Sequence, residues 1–323
     1  MNSRVTVKDL ARICGVSIGT VDRAINGRGG INPETKEKIL AAAREYGFVK
    51  NQNAISLSRG KPNLLGVIMP NLKTEFLATL LSAIEEEATA LGFSTIIMLS
   101  GYSVERERDC ATRMRSMDIA GLIVFPVISD AEFYRSVMRM GIPVVTVGNR
   151  IEGIPFVGID DRLAMERATE FVISRGYERL IYVAPLLEKA GRENLSAQVL
   201  RHEGFLAASD EVRREVIADR RAYGELLGSL ESGEFFGDTR TALICPSDSY
   251  TIDCLPYIGK RCGIIGFDRL PMIGRLIPEL AGVVYPTAGI GKAAALLTLN
   301  PENSSGIAAE TIFEFSIVEG ETI

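Results

Sequence analysis

VTVKDLARICGVSIGTVDRAIN, residues 5–26, encodes two short amphipathic helices joined by a glycine turn. Val7, Leu10, Ala11 and Cys14 recur at helical spacing and mark one inward face. Thr6 precedes that helix with Asp9 three residues on, a helix-start signature of the capping-box type. Gly15 ends it, because a residue without Cβ turns the chain at little steric cost. Ser17 then caps a second helix, to which Val21, Ala24 and Ile25 give an inward face. Two short helices around such a turn form a helix-turn-helix, whose second helix enters the DNA major groove. A plain helical hairpin without a nucleic-acid role is the competing reading.

Working outward, Gly27-Arg28-Gly29-Gly30 follows a helix and not a strand, so it lacks the context of a phosphate cradle. Asn32 and Pro33 start a third helix, expected to run to about Tyr46, to bury Ile39, Ala42, Ala43 and Tyr46, and to stop at Gly47. Three helices with so few large apolar groups make a marginal core, one expected to gain order on binding. Residues 51–60, NQNAISLSRG, form a polar linker with an isolated leucine.

At 323 residues the chain suggests two or three domains. Its net charge of −5 alone argues against a nucleic-acid partner. The distribution argues for one: residues 1–61 hold 11 Lys+Arg against 5 Asp+Glu, and the remainder 25 against 36. A basic reader on an acidic body has this asymmetry. The start of the chain reads as no signal peptide, and no apolar run is long enough for a membrane span. Five scattered cysteines and one histidine offer no metal-ligand cluster, so no metal or cofactor is expected; a reducing cytoplasm, with the protein on the nucleoid, fits. Cys14 and Cys245 read as small core residues.

From residue 64 apolar runs alternate with amphipathic segments. Strands are expected at 65–69, 94–99, 121–125 and 144–147, with helices near 75–91, 105–117 and 131–140. A second series has strands at 180–184, 242–245, 263–266 and 283–285. Strands separated by helices imply parallel sheets covered on both faces. Two such units in series give an α/β core of two doubly wound lobes with a cleft, behind the all-α headpiece.

The run V-x-V-x-D-L-A-x-x-C-G-V-S-x-x-T-V-D-R-A-I-N-G, followed by T-K-E-K-I-L-A-A-A-R-E-Y-G-F, resembles the headpiece of the lac-repressor (LacI/GalR) family. The resemblance extends over essentially the whole chain, the core being similar to sugar-binding periplasmic proteins of type I. It implies a headpiece at 1–50, a hinge at 51–61 and a core at 62–323. Lobe 1 would comprise about 62–158 and 286–315, and lobe 2 about 159–285 and 316–323. The implied function is a ligand-responsive, sequence-specific transcription regulator, a repressor, acting as a homodimer on a pseudo-palindromic operator in double-stranded DNA.

By that resemblance Ile18, Gly19 and Arg23 face base edges, while Ser17, Thr20 and Asn26 sit on phosphates. Thr6 and Asn51 complete the DNA-facing set. Arg23 alone can make a bidentate contact to guanine, worth roughly 1–3 kcal/mol of discrimination. Asp22 stands where the family has Ser, and either accepts from a cytosine amino group or pairs with a cation. Leu57 takes the place of the hinge wedge in the minor groove, with Ala54 against the partner hinge. Lys50 and Ile55 depart from the usual Pro and Arg.

For the cleft the resemblance implies Phe76 against the ligand, Asp160 at the lobe crossover, and Arg201 and Asp268 on ligand hydroxyls. Asn149 and Arg150 stand where the family has Asp-Arg, Ser247 replaces Asn, and Tyr285 replaces Gln. Carboxylate and guanidinium together suit a polyhydroxylated, carbohydrate-like effector; the substitutions point to a modified, larger or less polar one. Two chains would pair through apolar helix faces at 77–84 and after residue 271. Two rivals remain: a regulator whose core has lost its ligand, and a solute-binding protein. An enzyme is disfavoured, since Ser249, Asp248 and His202 lack a nucleophile elbow and Gly289-Ile290-Gly291-Lys292 lacks the rest of a P-loop.

Overall fold

The computed structural model describes residues 5–48, 62–190, 193–233, 239–258, 262–269, 271–300 and 310–323. The chain parts into two compact units at the Lys61/Pro62 boundary. The expected hinge contacts Asn51, Ala54 and Leu57, with the departures Lys50 and Ile55, lie outside the described residues.

The first unit holds α1 (Val7–Cys14), α2 (Ile18–Ile25) and α3 (Pro33–Glu45). Thr6 and Asp9 close the capping box on α1: the Asp9 amide donates to Thr6 Oγ1 and the Thr6 amide to Asp9 Oδ2. Gly15 ends α1 with φ +70°, a left-handed conformation that most side chains resist. Leu10, Val21 and Ile39 are fully buried where the helices meet, with Cys14, Ala24 and Ala42 around them. Tyr46 was expected in this core but is 47% exposed. The helix stops one residue short of it, so Tyr46 at the C-cap leaves the inward stripe, and Phe48 packs there instead.

The second unit begins with β1 (Leu64–Met69), α4 (Glu75–Ala90), β2 (Ser94–Leu99), α5 (Val104–Ser116), β3 (Gly121–Val124), α6 (Ala131–Met138), β4 (Val144–Val147) and β5 (Phe156–Ile159). It continues with α7 (Asp161–Ser174), β6 (Arg179–Val183), α8 (Ser196–Ala208), β7 (Arg213–Ile217), α9 (Arg220–Ser232), β8 (Thr241–Cys245) and α10 (Asp248–Ile258). β9 (Gly263–Gly266), α11 (Pro271–Leu276), β10 (Ala281–Val284), α12 (Thr287–Leu299), β11 (Glu310–Phe313) and β12 (Ser316–Val318) complete it.

These strands form two six-stranded sheets, β11-β5-β4-β3-β1-β2 and β12-β10-β9-β8-β6-β7, with the same winding. Every pairing is parallel except β10 with β12, an antiparallel edge. The chain crosses between sheets after β5, after β10 and between β11 and β12. Central strands such as β3, β4, β8 and β9 are buried at every position, as helices on both faces require.

Four strands were not legible in advance: β5, β7, β11 and β12. β7 reads RREVI and lies at a sheet edge, where charged residues replace the apolar run. The stretch at 77–84 also differs from expectation. Leu77, Leu80, Ala83 and Ile84 are buried inside the chain, where α4 packs on α12, so they present no free apolar face. On α11, by contrast, Leu276 and Met272 are exposed.

Candidate functional site

In the first unit, the Ser17 side chain accepts from the Thr20 amide at 3.1 Å and fixes the start of α2. Ser17 and Thr20 hydroxyls lie 2.8 Å apart. Ile18, Gly19 and Arg23 are exposed on α2, and Arg23 makes no ion pair among the described residues. Asp22 is held locally: it accepts from Asn26 Nδ2 at 2.8 Å and pairs with Arg28 at 3.4 Å. The cation that balances Asp22 is therefore Arg28 and not its neighbour Arg23.

In the second unit a cavity of about 220 Å³ opens between the two sheets. Phe76, Phe125, Tyr102 and Asn149 line it from the first lobe, and Arg201, Ser247, Asp248, Tyr250 and Asp268 from the second. Arg201, on α8, is 8% exposed. Its Nε donates to Asp161 at 2.8 Å, its Nη1 to the Pro246 carbonyl at 2.6 Å, and Nη1 lies 3.7 Å from Asp268. The guanidinium also stacks 3.7 Å from the Phe267 ring centroid. Burial alone would pull its pKa down, but Asp161 and Asp268 outweigh that and hold Arg201 firmly charged.

The Tyr285 hydroxyl donates to Asp268 Oδ1, and its ring packs edge-on against Phe76. Tyr285 thus orients Asp268 from behind and is absent from the cavity lining. Asp268 and Tyr102 have φ of +62° and +59°, uncommon for residues with a Cβ. Both line the cavity, where such strained backbone concentrates. Asp248 opens α10 and accepts from the Ser249 amide at 2.7 Å. Burial, with Asp268 nearby, pushes its carboxyl up to about 6.

Asp160 and Arg150 are placed elsewhere. Asp160 is exposed and caps α7, accepting from the Leu163 amide. The buried carboxylate on Arg201 is its neighbour Asp161. Capping could have separated the two: the residue before a helix commits its carboxylate to the N3 amide, leaving the next one free to point inward. Arg150 ties strand ends together, reaching Glu310 at 2.8 Å and the Ile159 carbonyl at 2.9 Å, and lies over Phe156.

Asn149 reaches the cavity but works as a clasp. Its amide nitrogen donates to the Pro126 and Asn194 carbonyls at 3.0 and 2.7 Å, and its oxygen accepts from the Ala197 amide at 3.1 Å. The Asn194 amide donates in turn to the Val127 carbonyl at 2.7 Å, so the segment entering α8 is stitched to the first lobe. Glu107, fully buried on α5, braces that loop by accepting from the Val127 and Ile128 amides and the Tyr134 hydroxyl. Asn194, Glu107, Tyr102 and Tyr250 had no spacing signal. Ser249 Oγ bonds Asp248, whereas His202 packs on the Tyr182 ring with Nε2 buried and unpartnered.

Comparison with known proteins bears on both units. A family model described as bacterial regulatory proteins, lacI family, matches residues 6–51. One described as periplasmic binding proteins and sugar binding domain of LacI family matches residues 63–221. The ribose operon repressor of Bacillus subtilis is 26% identical, with 91% of this chain and 90% of that protein covered. Catabolite control protein A of Priestia megaterium is 27% identical, with 91% of each covered. The crystal structure of the Lac repressor dimer bound to operator and the anti-inducer ONPF superposes with a TM-score of 0.80, at 19% identity over 99% of each chain. That likeness is one of fold.

Proposed function

We propose that this chain, a DNA-binding transcription regulator of the lacI family of bacterial regulatory proteins, is a dimeric repressor whose operator affinity is set by a small sugar-like molecule in the interlobe cavity. The observation that carries the DNA half is Arg23, exposed and without an ion pair among the described residues, on a helix whose start Ser17 fixes. A free guanidinium on such a face can take the two acceptors of a guanine edge. Ile18 can touch a thymine methyl, Gly19 permits close approach, and Ser17 and Thr20 reach phosphates. With Asp22 bound to Asn26 and Arg28, its carboxylate is drawn away from the backbone phosphates. Thr6, Asn51 and the hinge residues Ala54 and Leu57 complete the reader.

Relatives support the ligand half: the Lac repressor structure holds both operator and a small anti-inducer. The cavity here has a charged floor and aromatic walls, suited to hydroxyls on one side and a ring face on the other. Its volume of about 220 Å³ suits a small ligand. Ligand that changes the angle between lobes would alter the spacing of two hinges on a dimer, a coupling of about 1–3 kcal/mol in typical cases. Two headpieces related by a twofold read a pseudo-palindrome. The protein is expected in the cytoplasm, on the nucleoid; among the described residues no helix is long and apolar enough to cross a membrane.

Arg23→Ala tests the reading. Affinity for the wild type's selected duplex should fall to its affinity for random duplex, leaving weak, salt-sensitive binding. A uniform loss on both duplexes would remove Arg23 as a base reader.

A further inference from the structure

Among the described residues the charges lining the interlobe cavity do not balance: Glu193 is paired with Lys189, which leaves Asp248 and Asp268 against one guanidinium. Arg201 is the cation on its floor, and it is shared between Asp161 and Asp268. Asp248, 5% exposed, lines the same floor and has no ion pair among the described residues. Its Oδ1 accepts from Ser249, while Oδ2 has no hydrogen-bond partner among the described residues. Asp268 Oδ2 lies 3.7 Å from Arg201 Nη1, an ion-pair distance beyond hydrogen-bond reach. Both carboxylates are more than nine-tenths buried and line the cavity, and each keeps one oxygen without a hydrogen-bond donor among the described residues. The walls beside them are aromatic: Phe76, Tyr102, Phe125 and Tyr250.

Acceptors alone would suit any hydroxyl, but hydroxyls do not relieve the repulsion between Asp248 and Asp268. The two carboxylates line the same cavity, and burial first, then the nearby Asp268 charge, raises the Asp248 carboxyl. An anion is disfavoured, because the guanidinium that lines the cavity among the described residues is already neutralised. A cation meets both features at once, forming charge-assisted hydrogen bonds to the carboxylates and lying against ring faces. We propose that the effector of this protein is a small hydroxylated molecule bearing a protonated amine, such as an amino sugar or amino polyol, with its ammonium held between Asp248 and Asp268. The hydroxyls would then meet Arg201 Nη2, which has no protein acceptor among the described residues. This rests on the cavity being the effector site.

The test is thermal stabilisation and calorimetry of the full chain against size-matched cationic, neutral and anionic probes. Glucosamine is set against glucose, N-acetylglucosamine and glucose 6-phosphate; galactosamine against galactose; and ethanolamine against ethylene glycol as the minimal pair. The amines should bind at least about tenfold more tightly than their neutral counterparts. Asp248→Asn should erase that preference while keeping or raising the melting temperature of the unliganded protein, because it removes one of two repelling charges. A neutral or phosphorylated probe ranked first would overturn the inference and leave the ligand-responsive reading intact. Stabilisation by no probe of any class would overturn both. An amine preference that survives Asp248→Asn would remove Asp248 from the site and overturn the geometry proposed.

Discussion

Arg201 is held by two carboxylates and a carbonyl, so deleting its guanidinium does more than remove a group from the cavity lining. Arg201→Ala leaves Asp161 and Asp268 buried without their cation, and breaking a buried pair this way costs about 3–5 kcal/mol. Denaturant unfolding of the isolated variant should show that loss, and Arg201→Ala/Asp161→Ala should recover part of it. An unchanged midpoint for the single variant would mean that the cluster is solvated and the charge argument wrong. The same cluster shows what one sequence can and cannot tell. Arg201 and Asp268 were legible because their motifs resemble a family pattern. Asp161 was not, because adjacent aspartates differ only in which of them caps α7. Asn149 was legible as a cavity residue but not as a clasp, since its partners are backbone atoms that leave no mark in the sequence.

Arg201 reaches the cavity because α8 lies close on α7, and Gly204 permits that approach. A Cβ at Gly204 would meet the Arg162 carbonyl oxygen at 2.1 Å and the Glu166 amide nitrogen at 2.9 Å, both backbone atoms unable to give way. Gly204→Ala should therefore push the helices apart, lowering stability by about 1–3 kcal/mol and weakening effector binding through Arg201. Gly224, inside α9 with open space around its missing Cβ, is the control. Gly224→Ala should stabilise by about 0.5–1 kcal/mol. Thermal unfolding of both variants checks the pair, and equal effects would sink the close-packing account. Most buried strands were readable as apolar runs, whereas the four-residue β5, with Gly158 inside it, and the edge strands β7, β11 and β12 were not. Edge position and short length erase the pattern that burial imposes on a central strand.

At the scale of the whole chain, charge separates the parts: an excess of Lys+Arg in residues 1–61 and an excess of Asp+Glu beyond. An acidic core is repelled by DNA and a basic headpiece attracted, which favours engagement through α2. The parallel sheets and their shared winding followed from alternating strands and helices. The three crossovers did not: boundaries near 158, 285 and 315 came only with the family resemblance, because passing from one lobe to the other leaves no local signature. Since Ile18 and Gly19 can add little hydrogen bonding, the proposed direct readout centres on Arg23. The rest of the specificity is assigned to the hinge and to how easily the central step deforms. Selection of bound sequences from random double-stranded DNA by the full chain tests the central claim most directly. The account predicts a pseudo-palindrome with a G·C pair at matching positions in both half-sites; an asymmetric motif, or no enrichment at all, would contradict it.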